Sequence, residues 1–290
     1  MTGGPGGPRG RAPRVTGRQR RALGQHFLTD PGVAARIVDA VGATRADVAC
    51  EIGAGPGTLT WALAARVGRL VALEIDPALQ ARLAEAARSW PEAGRVDIVL
   101  ADARSFAYED LGALRPDPGG RVLVVGNLPY SVSKPILGRL FDARATLAAA
   151  VLMLQREVAE RVTARPGGRD YGALSIFWQR WADITRLEVV PPVAFRPPPA
   201  VESAVIRVGF RSVPRVEVSD EGLFARVVRA AFGQRRKTLE NALRGGGLGG
   251  PGRLAAALAE AAIDGGRRAE TLSLEEFARL ADALGRTPAG

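Results

Sequence analysis

Asn127, Leu128, Pro129 and Tyr130 set a neutral amide, a proline and a phenol directly after the apolar run RVLVVGN. None of the four is a strong acid, base or nucleophile, so their chemistry is that of placement. A carboxamide oxygen and a neighbouring backbone carbonyl can each accept one N–H of a conjugated amine. The lone pair of such an amine is delocalised, and two acceptors orient the nitrogen and draw it toward tetrahedral geometry as it attacks. Pro129 would stiffen the turn that carries both acceptors. Tyr130 would offer a flat apolar face to a base. Alone, such a tetrapeptide also fits an ordinary strand-to-helix turn with a buried tyrosine.

A second constellation precedes it. EIGAGPGTLT, residues 51–60, follows one predicted strand and opens a helix. Gly53, Gly55 and Gly57 there allow a tight turn and close approach of a ligand to the backbone. By itself the turn suits NAD, FAD, S-adenosylmethionine or no ligand at all. Glu74 ends the next strand, where a carboxylate can accept both hydroxyls of a ribose. Asp102 ends the third, where it could accept from the amine of an adenine, and Asn127 ends the fourth. Ligands of open α/β sheets bind beyond such strand ends, so the four positions are expected to converge on one crevice.

The elements that must hold these residues are legible as periodicity. Five β-rich runs, VACEI, RLVALEI, VDIVLA, RVLVVGN and LAAAVLML, are separated by helix-length segments. That alternation predicts an α/β fold with a parallel sheet wrapped by helices. ADITRLEVV and SAVIRVGF lack a helix between them and predict an antiparallel edge pair. Four amphipathic segments follow, near 220–232, 235–244, 252–262 and 273–285, with GGGLGGPG as a break, predicting a small all-helical C-terminal domain. The expected division is a disordered basic tail over 1–22, a sheet domain over 23–211, a linker over 212–219 and a helical domain over 220–290.

Composition bounds the rest. The chain has 290 residues and a net charge of +10, which points to a polyanionic partner. Six arginines (9, 11, 14, 18, 20 and 21) fall in the acid-free tail, leaving the remainder only mildly basic. The single cysteine, Cys50, excludes an intramolecular disulfide and a thiolate metal cluster, and reads as a small buried strand residue. With neither an apolar run of about 18 residues nor a secretion leader, a cytosolic protein is expected. No metal is expected, and a monomer is.

The order Glu-x-Gly-x-Gly-x-Gly, acid, acid, Asn-x-Pro-Tyr resembles class I S-adenosylmethionine-dependent methyltransferases, which have a Rossmann-like fold. RALGQHFLTD, residues 21–30, resembles the Gly-Gln-Asn-Phe-Leu entry motif of the rRNA adenine N6-methyltransferase family, with His26 where that family usually has Asn. VAFRPPPAVESAVIRV, residues 193–208, resembles its Phe-x-Pro-x-Pro-x-Val-x-Ser-Ala signature, and residues 152–176 also follow its pattern. AFGQRRKTLENAL, residues 231–243, is similar to the small-subunit branch rather than the macrolide-resistance branch acting on large-subunit rRNA.

The resemblance spans residues 21 to about 244 and implies S-adenosylmethionine as cofactor. It places His26 and Leu28 beside Gly53, Gly55, Glu74, Asp102 and Asn127 in the cofactor site, and Phe195 opposite Tyr130 on the target base. Arg156, Arg235, Arg236 and Lys237 would touch RNA, and Arg161, Arg165 and Arg169 could also meet phosphates. The implied reaction is dimethylation of N6 on two adjacent adenosines in the 3′-terminal hairpin loop of 16S rRNA, in the small ribosomal subunit or its precursor. The alternatives are a large-subunit (23S) rRNA methyltransferase and a non-catalytic ribosome-assembly factor. A glutamine-directed protein methyltransferase would leave Phe195 and its prolines unexplained.

Overall fold

The computed structural model describes residues 25–234 and 236–287. The tail over 1–22 and Arg235 lie outside them. The chain divides into two units, one comprising residues up to Ala159 together with Asp183–Phe210, the other Glu160–Ala182 with Arg211 onward. Sequence reading placed 160–182 with the sheet, whereas in the structure this segment clusters with the C-terminal helices.

The first unit is built on seven strands: β2 (Val48–Ile52), β3 (Arg69–Glu74), β4 (Val96–Leu100), β5 (Val122–Asn127), β6 (Ala149–Gln155), β7 (Ala182–Val190) and β9 (Ser203–Phe210). They lie in the order β4-β3-β2-β5-β6-β9-β7. The first five pair in parallel. β9 runs antiparallel to β6, and β9 and β7 form the antiparallel edge pair that the sequence predicts. Val48, Cys50, Leu70, Leu123, Val124, Val125, Val151 and Leu152 are buried because central parallel strands are covered on both faces. The Cys50 thiol is among them, and burial pushes its pKa far above the ordinary thiol range.

Helices connect the strands and start where the sequence supplies caps. In α1 (Pro31–Val41), Asp30 Oδ1 accepts from Gly32 N at 2.8 Å and Val33 N at 3.1 Å, with Pro31 in the first turn. α2 (Thr58–Ala64) follows the glycine turn, and α3 (Pro77–Ala87) is capped by Asp76. α4 (Ser133–Asp142) follows the Asn-Leu-Pro-Tyr turn. A separate two-stranded ladder joins β1 (Phe27–Leu28) to β8 (Phe195–Arg196), with Phe27 opposite Arg196 and Leu28 opposite Phe195.

α5 (Arg156–Thr163) leaves β6 and enters the second unit, which then contains α6 (Ala173–Trp181), α7 (Glu221–Gly233), α8 (Leu239–Gly245), α9 (Pro251–Glu260) and α10 (Leu274–Arg286). Its core gathers Phe224, Val227, Leu239, Leu243, Leu254, Phe277, Leu280 and Leu284. Arg180 is buried in this unit, where its guanidinium donates to both carboxylate oxygens of Glu221 at 2.6 and 2.7 Å and its Nε donates to Val216 O at 2.9 Å. These three charge-assisted hydrogen bonds, two of them to one carboxylate, offset the cost of burying the cation.

Candidate active site

β2 and β5 are neighbours from which the chain winds outward in opposite directions, and the crevice lies past their carboxyl ends. The turn after β2 takes φ of 73° at Gly53 and 55° at Gly55. A Cβ on Gly55 would lie 2.9 Å from Cδ1 of Phe27, so glycine is required both for the left-handed backbone and for that ring. A Cβ on Gly53 would stand 3.7 Å from Asn127 O, in the gap between the glycine turn and the Asn-Leu-Pro-Tyr turn.

Glu74 is 2% exposed at the end of β3. Its Oε2 accepts from Gly55 N, and its Oε1 accepts from Ile75 N and Asp76 N, all at 2.8 Å. One carboxylate thus braces the glycine turn while lining the same concavity as Gln25, His26, Phe27, Gly53 and Asn127 to Tyr130. Beside it runs a slot with apolar walls of Ile52, Leu73, Ile75, Ala101, Val132 and Ile136 and a polar edge of Asp102 and Arg104. Arg104 Nε lies 3.0 Å from both Asp102 oxygens, and its Nη2 is 2.6 Å from Oδ2. Burial opposes ionisation of Asp102, but the hydrogen bonds and charge of Arg104 outweigh it and hold the carboxyl below its ordinary range.

The orientation of the Asn127 amide follows from its partner. Nδ2 donates to the backbone carbonyl of His26 at 2.9 Å, and because a carbonyl only accepts, the nitrogen must face it. Oδ1 is therefore turned away from His26 as an acceptor. Leu128 is buried, with its N–H donated to Met153 O at 3.0 Å. The Tyr130 hydroxyl shares a 2.6 Å hydrogen bond with Ser203 Oγ, and burial raises the phenol's pKa despite that bond, so the ring stays neutral at ordinary pH. The His26 ring lies 5.5 Å from the Tyr130 ring at 34°.

The structure thus brings Asn127, Pro129, Tyr130, His26, Gly53 and Glu74 to one concavity and Asp102 to the adjoining slot. Gly55 stands in the same turn, beneath Phe27. It does not bring Phe195 or Leu28 to either lining. Both are buried, at 2% and 4% exposure, in one apolar cluster with Ile37, Val38 and Leu63, because the β1–β8 ladder turns these two side chains inward together. Arg156 is exposed and paired with Glu202 at 2.7 Å. Arg236 and Lys237 are exposed in the second unit, before α8.

Sequence reasoning did not single out Phe27, Thr58, Arg104 or Ser203. Thr58 Oγ1 donates to Leu28 O at 3.0 Å, tying β1 to the glycine turn. Ser203 was within reach, since it stands in the proline-rich signature. Arg104 follows Asp102 by two residues, a spacing that carries no signal in a loop.

The donor set fits a nucleoside. The slot is apolar on its walls and polar at one edge, the buried Glu74 carboxylate lines the adjoining concavity, and Gly53, common to both, leaves open the gap that a Cβ would fill. A sequence model described as ribosomal RNA adenine dimethylase matches residues 17–285. The chain belongs to the ribosomal RNA adenine dimethylase family. Among relatives in this dimethylase family, the ribosomal RNA small subunit methyltransferase A of Geobacter metallireducens is 47% identical over 92% of this chain and 96% of its own length. The protein so named from Anaeromyxobacter sp. is 43% identical over 96% of this chain and 98% of its own. The crystal structure of the 23S rRNA methyltransferase ErmE superposes with a TM-score of 0.68 and 26% identity, covering 90% of this chain and 100% of that one. A dimethyladenosine transferase from Plasmodium falciparum shares the fold, with a TM-score of 0.69 and 21% identity over 88% of this chain and 96% of its own.

Proposed function

We propose that this enzyme uses S-adenosylmethionine to dimethylate N6 of two adjacent adenosines in the 3′-terminal hairpin loop of 16S rRNA, acting on the small ribosomal subunit or its precursor. The observation that carries the reading is the Asn127 amide, fixed by His26 O so that its oxygen is the acceptor beside Tyr130 and the glycine turn. Relatives 43–47% identical over nearly their whole length, each named a small-subunit methyltransferase, support the choice of subunit.

S-adenosylmethionine supplies an electrophilic methyl group on a sulfonium. Gly53, Glu74 and the slot ending at Asp102 would hold it. Asn127 Oδ1 and the Leu128 carbonyl would accept the two N–H groups of the target amine and set its lone pair on the line of attack. Tyr130 would stack on the base as a neutral ring, and a loop adenosine can be splayed into such a site. Phe195 would meet the base only by leaving its core position, and Arg156 would meet a phosphate only by exchanging Glu202 for it. Arg236 and Lys237 would attract the RNA backbone.

The test is to incubate the protein with labelled cofactor and small subunits that lack the modification, then map the product. Dimethyladenosine at both positions of that hairpin is expected. Label in the large subunit, or none in either, would overturn the proposal.

A further inference from the structure

The carboxylate at the polar edge of the slot is held by its near neighbour in the chain. Asp102 has two oxygens and about four acceptor directions. Arg104 alone brings three N–H groups to them: its backbone N lies 2.9 Å from Oδ1, its Nε 3.0 Å from both oxygens, and its Nη2 2.6 Å from Oδ2. The backbone beneath is fixed by other groups. Ser105 N donates to Asp102 O at 3.1 Å, and the buried Tyr108 donates its hydroxyl to Ala103 O at 3.0 Å. Those bonds leave the Asp102 side chain free to turn, and the Arg104 fork removes that freedom.

The Arg104 side chain is 49% exposed, so as an ion pair it adds little to the stability of the fold. Its consequence is directional. With three N–H groups of one residue in place, about one acceptor direction of the carboxylate remains, on a side chain that lines the slot with Ile75, Ala101 and Pro129. An amine that gives a single N–H suits that direction, and a ring position without an amine leaves it unused. We propose that Arg104 is a positioning residue of the nucleoside slot: it holds Asp102 so that one acceptor direction is left for the exocyclic amine of the cofactor's adenine, and so sets the preference for adenine over a purine that lacks the amine. The proposal rests on reading Asp102 as the group that receives that amine.

Isothermal titration calorimetry on the full chain tests this, with S-adenosylhomocysteine and with its analogue carrying purine in place of adenine. Losing a hydrogen bond to a charged acceptor should make the wild-type protein bind the purine analogue about tenfold or more weakly. Arg104→Met keeps the aliphatic stem and the backbone N–H and removes the fork. It should bind S-adenosylhomocysteine about fivefold more weakly than wild type and the purine analogue within about twofold, so that the preference narrows. Its melting temperature should stay within about 2 °C of wild type, because an exposed ion pair contributes little.

A variant that keeps the full preference, or that binds S-adenosylhomocysteine more tightly because Arg104 had competed for Asp102, would overturn the inference and leave the cofactor assignment standing. Equal loss of both ligands together with lower melting would make Arg104 a structural brace only, and would overturn it as well. A wild-type protein that binds the two nucleosides equally would remove Asp102 from the amine and the inference with it. Binding of neither would overturn the cofactor assignment itself.

Discussion

Asn127 and Tyr130 are useful only because other groups orient them. With Oδ1 the sole side-chain acceptor on the target amine, Asn127→Ala should lower kcat on unmodified small subunits by about 100-fold or more, the scale seen when one pre-positioned hydrogen-bonding group at a reacting centre is removed. Rapid-quench measurement of the first methyl transfer checks this, and a loss below about fivefold would remove Asn127 from the reacting centre. Tyr130 and Ser203 share one hydrogen bond. Tyr130→Phe and Ser203→Ala should therefore each raise KM for the subunit severalfold, and the double variant should be no worse than the poorer single one. Additive losses would show that the two hydroxyls act separately.

At the level of elements, the two residues of β1 are the clip of the site. Phe27 packs over Gly55, Leu28 O takes Thr58 Oγ1, and Thr29 N donates to Ala194 O at 2.8 Å. The glycine turn and the proline-rich loop thus reach the crevice through one short strand. Gly55→Ala would push a Cβ into the Phe27 ring at a φ of 55°, and should destabilise the protein by about 1–3 kcal/mol. Calorimetric unfolding measures that loss, and cofactor affinity should fall with it because Glu74 holds Gly55 N. An alanine variant with unchanged melting and affinity would mean that β1 yields freely.

Across the first unit, two carboxyls respond to pH in opposite directions. Asp47 lies at the amino ends of β2 and β5, away from the crevice, where Arg121 N donates to it at 2.7 Å and the Arg121 guanidinium and Thr44 also bond it. Burial opposes its ionisation, but those bonds prevail and bring its pKa to about 2. Its contribution, about 2 kcal/mol by linkage, is complete above pH 4 and is lost as pH falls from about 4 to 2. Urea unfolding of Asp47→Asn should thus show a deficit at pH 7 that closes toward pH 2. Glu51, in β2, is pushed up to about 8 by burial, with the charge of Glu74 adding to it, and its Oε2 has no partner. The folded state there prefers the neutral acid, so Glu51 costs stability as pH rises from about 4.5 to 8. Glu51→Gln should raise the melting temperature at pH 8.5 relative to wild type by more than at pH 4.5. A constant difference would place the titration elsewhere.

The amino-acid sequence by itself determined the seven strands of the main sheet, the mostly parallel arrangement and the helices at the C-terminus, because burial on both faces of central strands and on one stripe of each helix writes a period into the chain. It also determined that Gly53, Glu74, Asp102 and Asn127 would meet, since strand ends in such a sheet share one edge. What it could not decide were partnerships between residues far apart in the chain or in loops without periodicity. Arg104 on Asp102, Ser203 on Tyr130 and His26 on Pro197 depend on where loops come to rest. For the same reason an aromatic in a proline-rich motif read as a lid on the base, while the β1–β8 ladder turned Phe195 into the core, where apolar contact outweighs exposure to the crevice. The clustering of residues 160–182 with the C-terminal helices was likewise a tertiary outcome, because apolar residues on a helix mark a buried face without naming the partner that covers it.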